Sequence, residues 1–249
     1  MIHRVIVIAL CVCAGLIASP TQVSATVALV ANTCVASANG NNVTTGSLDT
    51  TGATVIVIGV GTSAGTYGSP PTDSKSNTWT PLTTASAAAG NSQKLYYVEN
   101  GTVGTGHTFT YAETAKFPSI CVVAFSGTQT SGSFDVQNTG TAESGTTVQP
   151  GSVTPSANNS VLVTGVSHGS ASVTIDGSFL EGGDVGAGAF NWGCAIAYKI
   201  QTTAGAENPT WTEGGTDFGQ GQAAAIAVFQ DASAGATTPR RLSFLGVGN

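Results

Sequence analysis

The sequence predicts an all-β protein, an antiparallel β-sandwich of jelly-roll or immunoglobulin-like type with an internal two-fold repeat. Three observations carry this expectation. First, Ser119–Gly127 reads S-I-C-V-V-A-F-S-G, and Ala224–Gln230 reads A-A-I-A-V-F-Q about a hundred residues later. Continuous apolar runs this short, rich in β-branched and aromatic residues and closed by polar residues, mark strands buried on both faces. Second, only 8% of the 249 residues are charged and 33 are glycine, against roughly 25% charged in an average globular chain. Third, three segments recur in one order at nearly one spacing. Thr54–Val60 matches Ser160–Val166 at an offset of 106, Thr108–Thr110 matches Thr210–Thr212 at 102, and Val122–Phe125 matches Ile226–Phe229 at 104. A repeat of this kind predicts that each half supplies equivalent strands.

Taken in order, residues 1–25 read as a secretory signal peptide. Met1-Ile2-His3-Arg4 is a short basic start, Val5–Ala18 is an apolar run, Pro20 breaks it, and Val23-Ser24-Ala25 offers small side chains at a cleavage site. A retained membrane anchor is the alternative, but the 14-residue run is short of the roughly 20 residues needed to span a bilayer. Thr26–Ala36 is a first strand, interrupted near Asn32, and Asn39–Asn42 is a turn cluster. Ala53–Val60 is a buried strand. A polar loop through Pro70-Pro71 leads to Asp73–Asn77, with Thr78–Thr80 as a hairpin return. Ala85–Ala89 is the best helical candidate, one turn long. Gln93–Glu99 and His107–Ala112 are strands, followed by Ser119–Gly127. Phe134–Val136 and Thr146–Val153 are short edge elements. Ser160–Val166, Ser172–Ile175, Ala189–Ile200, Pro209–Thr212 and Ala223–Phe229 complete the strands, and Gly182–Gly188 is a glycine-rich loop. Turn signals every roughly 8–12 residues suit a sandwich. The expected organisation is a β-sandwich domain over 26–231, with pseudo-repeats at about 53–127 and 159–231. Residues 232–249 form a flexible C-terminal tail.

Charge and cysteine content exclude several classes. Beyond residue 25 there are six basic residues against thirteen acidic ones, a net charge of −7. So few scattered positive charges cannot build the phosphate-neutralising face of a nucleic-acid binder, and they disfavour anionic lipid as well. No second apolar run is long enough to cross a membrane. Cys34, Cys121 and Cys194 remain after the signal. An odd number in a disulfide-permissive compartment allows one internal bridge, whose partners the spacing leaves open. No Cys/His spacing suits zinc, and no cofactor is expected.

Candidate chemistry is sparse. Gly61-Thr62-Ser63-Ala64-Gly65 matches G-x-S-x-G, but the following Thr66–Pro71 cannot form the helix that a nucleophile elbow requires. Asp73 with Asn77, and Glu181 with Asp184, offer oxygen ligands without the density of a calcium loop. Turn chemistry accounts for them. Carboxylate pairs for glycoside hydrolysis could be drawn from Glu99, Glu113, Glu181, Asp184, Glu207, Glu213 and Asp217, with no spacing that selects one. Trp79 and Trp211 read as core residues. Trp192, flanked by Asn191 and the glycine-rich loop that holds Asp184, is the aromatic most open to a ligand. Trp192, Asn191 and Asp184 are therefore the candidate ligand-binding residues. Asn42, Asn100 and Asn158 head N-x-[ST] sequons.

Asp73-Ser74-Lys75-Ser76-Asn77-Thr78-Trp79-Thr80-Pro81-Leu82, Leu95-Tyr96-Tyr97, Gly106–Thr110 and Ala124–Gly127 together resemble a loose group of phage and bacterial β-sandwich proteins of virion-structural or surface type. The short Arg240–Leu245 stretch is similar to the ends of some phage-encoded proteins. The resemblance implies fold more than function, because its motifs are turns and core strands. The secretory signal departs from a virion pattern. The functional expectation is a secreted or surface-displayed, non-enzymatic structural or adhesive protein, whose partners would be a surface glycan or further copies of itself. A secreted carbohydrate-binding protein or polysaccharide-active enzyme, and a phage tail or capsid-decoration component, are the alternatives.

Overall fold

A computed structural model describes residues 26–63, 65–88, 90–214 and 221–233. The expected signal peptide and most of the expected C-terminal tail lie outside them. Sixteen strands form the described chain, and all paired strands are antiparallel. In the first half they are β1 (Ala28–Ala36), β2 (Asn42–Thr44), β3 (Val55–Ser63), β4 (Thr72–Asp73), β5 (Thr80–Ser86), β6 (Asn91–Glu99), β7 (Phe109–Ala112) and β8 (Ser119–Ser126). In the second they are β9 (Phe134–Ala142), β10 (Thr147–Val148), β11 (Ser160–His168), β12 (Val173–Ile175), β13 (Leu180–Val185), β14 (Gly193–Gln201), β15 (Trp211–Glu213) and β16 (Gln222–Gln230).

The first half makes a five-stranded sheet, β1-β8-β3-β6-β5, and a three-stranded sheet, β2-β7-β4. Strand 1 pairs with 8, 2 with 7 and 3 with 6, the nested pairing of a jelly roll. The second half repeats it. Its sheets run β9-β16-β11-β14-β13 and β10-β15-β12, the same order shifted by eight strands. The register repeats too: Val122 pairs with Ile58, and Ile226 with Thr164, at the offsets of 104 and 106 read from the sequence. Because β1 and β9 belong to the pattern, the repeat extends beyond the stretches matched by sequence.

Layering explains the continuous apolar strands. The two five-stranded sheets lie face to face, with β3 over β11, β8 over β14, β6 over β16, β5 over β9 and β1 over β13. Alternate residues such as Val57, Val123, Val163 and Ile196 fill the core between them. The intervening residues point outward, where the small sheets cover them. Ile58, Val122, Phe109 and Trp79 form one outer core, and Leu162, Ile226 and Trp211 form the other. Four sheets thus stack in the order three, five, five, three. Both faces of the inner strands β3, β8, β11 and β16 are buried, so period-2 alternation disappears from them.

Several elements differ from the sequence reading. Asn32 does not interrupt β1; the irregularity is a bulge between Leu29 and Ala31. The Asn32 amide reaches across to the Gly182 carbonyl at 2.6 Å. Of the alanine-rich Ala85–Ala89 stretch, the described residues 85–88 form no helix, since β5 runs through Ser86 and Ala87 turns back onto Asn91. Phe134–Val136 begins a nine-residue edge strand rather than a short one. Within the expected Gly182–Gly188 loop, Gly182–Val185 is strand β13, and Gly182 packs closely on Val123 and Ile196. Among the described residues one bridge forms, between Cys34 and Cys121, directly opposed on β1 and β8, and Cys194 is left free and buried.

Candidate functional site

Three clusters of polar and aromatic side chains stand out, and two of them build the fold. In the first half, Asp73 lies at the end of β4 with its side chain fully buried. Its Oδ1 accepts from the Lys75 amide at 2.8 Å, and its Oδ2 from the Trp79 indole at 2.8 Å. His107 Nε2 lies 3.1 Å from Oδ1, and His107 Nδ1 lies 2.9 Å from the Thr50 hydroxyl. A hydroxyl, an imidazole and a carboxylate in sequence is the arrangement that nucleophilic catalysis uses. Here it has no access to a substrate. Thr50 and His107 are fully buried, the Thr50 hydroxyl bonds both the amide and the carbonyl of Gly104, and the imidazole lies against the Phe109 ring at 4.2 Å. The D-S-K-S-N-T-W motif is therefore a clasp, buried at the Asp73 side chain and Trp79, that holds the β4–β5 turn to β7.

The second cluster holds Asp184. Its Oδ1 is 3.1 Å from His168 Nε2, and its Oδ2 accepts from the Val173 amide at 3.2 Å. The His168 ring lies over Gly193, where any Cβ would overlap it. Asp184 thus pins β13 to β11 and β12 and points inward.

The third cluster lies at one pole, where β8 begins and β3 and β11 end. The β1–β2 and β7–β8 connections border an open groove of about 400 Å³ lined by Asn39, Asn41, Asn42, Ala112, Glu113 and Thr114. Asn39 Oδ1 accepts from the amides of Asn41 and Asn42 at 3.0 and 3.4 Å, and Asn41 Oδ1 accepts from the Ala115 amide at 2.9 Å. The Tyr111 hydroxyl donates to Glu113 Oε2. Burial, this bond and the Glu113 charge together push the Tyr111 phenol far above its ordinary pKa. Phe117 lies beside the groove, its ring carbons 3.0 Å from where a Cβ on Gly40 would stand. It is exposed and holds a left-handed φ of 53°.

The residues singled out from the sequence fall near this pole, though not in the groove. The Trp192 amide donates to the Phe117 carbonyl at 2.9 Å, joining the loops of the two halves. Its ring is only partly exposed, while the neighbouring Phe190 is 53% exposed. The Asn191 amide closes a turn by donating to the Gly186 carbonyl at 2.7 Å. Neither Phe117 nor the groove was signalled by any motif; two exposed aromatics in polar connections, Phe117 and Phe190, were the available hint.

Of the carboxylates from which a glycoside-hydrolase pair could be drawn, several are engaged in holding the fold together. Glu99 accepts from the Ser133 hydroxyl and the Gly132 and Phe134 amides, which outweigh its burial and hold its pKa below the usual value. Glu207 pairs with Lys199 at 2.7 Å, and Glu213 accepts from the Gly169 amide. Asp217 lies outside the described residues. Ser63 of the G-x-S-x-G stretch donates to the Lys116 carbonyl at the end of β3. Among the described residues, no group of three or more His, Cys, Asp or Glu side chains could hold a metal ion, and no helix is long and apolar enough to cross a membrane. No family model matches the chain, and neither a curated protein nor a solved structure is significantly similar to it.

Proposed function

We propose that this chain is a secreted or surface-displayed, non-enzymatic β-sandwich with a structural or adhesive role. One observation carries the reading: the two ends of the described body leave from one pole, and the exposed aromatics and the polar groove occupy the other. Ala28 pairs with Ser126, and the Ala232 amide bonds the Gly127 carbonyl, so both ends lie where β8 finishes. Phe117 and Glu113 lie where β8 starts. The eight residues of β8 separate the poles by roughly 25 Å, at about 3.3 Å per residue. A body tethered from one pole would present the other outward. The engagement of Asp73, Asp184, Glu99, Glu207 and the two histidines in bonds that hold strands together supports a non-enzymatic role. The jelly roll itself occurs in both lectins and viral capsid domains, and such likeness informs fold rather than activity.

Protein comprising residues 26–249, assayed against a panel of polysaccharides and ester substrates, should show no turnover. Protease shaving of intact source cells should release its peptides. Turnover abolished by changing a single carboxylate would overturn the reading in favour of an enzyme. Recovery in purified phage particles with Met1 retained would instead assign it to a virion.

A further inference from the structure

We infer that the groove between the β1–β2 and β7–β8 connections is a binding site for a neutral polysaccharide chain, with Phe117 as its stacking platform. The inference rests on the reading of the chain as a displayed, non-enzymatic protein and names its ligand class. Four features lead to it.

The groove is of ligand size, about 400 Å³, within the range of roughly 300–1,000 Å³ typical of small-molecule sites. It is also pre-formed. Asn39 and Asn41 fix their own turn through their side-chain oxygens, and Asn41 ties it to the β7–β8 connection at Ala115. The Glu113 amide bonds the Asn41 carbonyl at 2.7 Å. A ligand would not have to order these loops.

The lining chemistry matches vicinal hydroxyls. Asn42 and Thr114 are exposed at the rim; an amide offers both donors and acceptors, and a hydroxyl offers one donor and two lone pairs. Glu113 accepts from Tyr111 through one oxygen, and its other oxygen lies 3.5 Å from where a Cβ on Gly68 would stand.

Phe117 supplies an exposed apolar ring against Gly40, which stands between the groove-lining Asn39 and Asn41. It is held in a conformation that side chains other than glycine rarely adopt, and Ala115 in the same connection shares it, with φ of 55°. Non-glycine residues persist there only when their surroundings enforce it, and such strain concentrates at functional positions. A hydrogen-bonding floor beside an apolar ring suits a sugar, which carries hydroxyls on its edges and C–H groups on its faces.

Charge selects the class of glycan. The chain beyond residue 25 carries a net charge of −7, and Glu113 lines the groove itself. A uronate or sulfated polymer would meet repulsion, and a neutral one would not.

Affinity electrophoresis tests this, with native gels containing xylan, mannan or mixed-linkage β-glucan, and parallel gels containing alginate or polygalacturonate. Retardation is expected on at least one neutral polymer and on neither acidic one. Phe117→Gly removes the ring while placing glycine at a φ that favours it, so the fold should be kept. It should weaken binding roughly tenfold, equivalent to about 1.4 kcal/mol, as should Asn42→Ala. Leu180→Thr, exposed at the opposite pole, should bind as the parent does. Absence of retardation on every neutral polymer, preference for an acidic one, or undiminished binding by Phe117→Gly would each overturn the inference. Any of these leaves the non-enzymatic reading standing. Release of reducing sugar during the same incubations would strike at that reading instead.

Discussion

Asp73 shows how much of this fold depends on single polar side chains placed inside an apolar sandwich. Its carboxylate serves the Trp79 indole, the Lys75 amide and His107 within one buried space. Asp73→Ala would leave the buried indole without its acceptor and remove the charge beside the imidazole, at a cost of about 3 kcal/mol. Urea denaturation followed by tryptophan fluorescence should report that loss. The second half handles its indole more simply: Trp211 Nε1 donates to the Thr164 hydroxyl at 3.1 Å, which donates in turn to the Ala225 carbonyl at 3.0 Å. Thr164→Val keeps the shape and removes the acceptor, so about 1–3 kcal/mol should be lost. Cys194 is the opposite kind of residue, a free thiol sealed in the central core. Burial pushes its pKa from 9.0 up to about 12. A pKa raised on folding stabilises the native state fully below the unfolded value and progressively less above it. The contribution should therefore fade between about pH 9 and 12, and the thiol should resist a disulfide reagent at pH 8 until denaturant is added. Rapid labelling of native protein at pH 8 would refute this placement.

At the scale of elements, the disulfide fastens an edge strand. β1 borders its sheet and pairs only with β8, where Cys34 and Cys121 stand opposite each other. The bridge closes a loop of 87 residues, for which the chain-entropy model gives about 4–5 kcal/mol. Reduction should lower the melting temperature markedly, and Cys34→Ala/Cys121→Ala should match the reduced protein. Equal melting temperatures for the oxidised and reduced forms would refute that contribution. The same elements show what was legible in the sequence. β3, β8, β11 and β16 could be read directly, because strands covered on both faces are written mostly in Val, Ile, Leu, Ala and Phe without polar alternation. The edge strand β9 could be read only at its first three residues, and β13 not at all. F-D-V-Q-N-T-G-T-A and L-E-G-G-D-V carry polar residues and glycines, since their outer positions meet solvent or lie against a close neighbour. In isolation such a composition looks like a loop. Asp184 was singled out for the same reason. A carboxylate between glycines suggested an open ligand, whereas pairing with β14 turns it towards His168. The groove was illegible because it is made by two connections more than seventy residues apart, joined by the Asn41–Ala115 bond. No local spacing encodes that meeting.

At the scale of the whole molecule, the two halves meet as the subunits of a two-fold dimer do. In an isologous interface, if one residue of the first partner touches another of the second, their counterparts touch as well. The central core has this property. Tyr97 packs edge-on against Phe229 at 5.3 Å and 61°, and Phe125 packs against Tyr198 at 5.1 Å and 66°. Phe125 and Phe229 are counterparts by register, as are Tyr97 and Tyr198. Gly59 and Gly165, also counterparts, both lie against the Gln93 amide, where an added Cβ would come within 2.9 and 2.5 Å of its nitrogen. Neither half can keep its large sheet buried alone, because the inner face of each large sheet is covered by the other, β3 by β11, β8 by β14 and β16 by β6. The chain should therefore unfold in one cooperative step despite containing two jelly rolls, with a denaturant slope appropriate to the whole body rather than to half of it. Phe125→Ala and Phe229→Ala should each cost about 3–5 kcal/mol, by similar amounts, and each should weaken the entire molecule. Calorimetry and hydrogen exchange on the two variants can separate the possibilities. Two transitions, or loss of protection confined to the half that carries the substitution, would mean that the sandwiches are independent domains in contact. Loss of protection in both halves at once would mean that the central core makes them one folding unit.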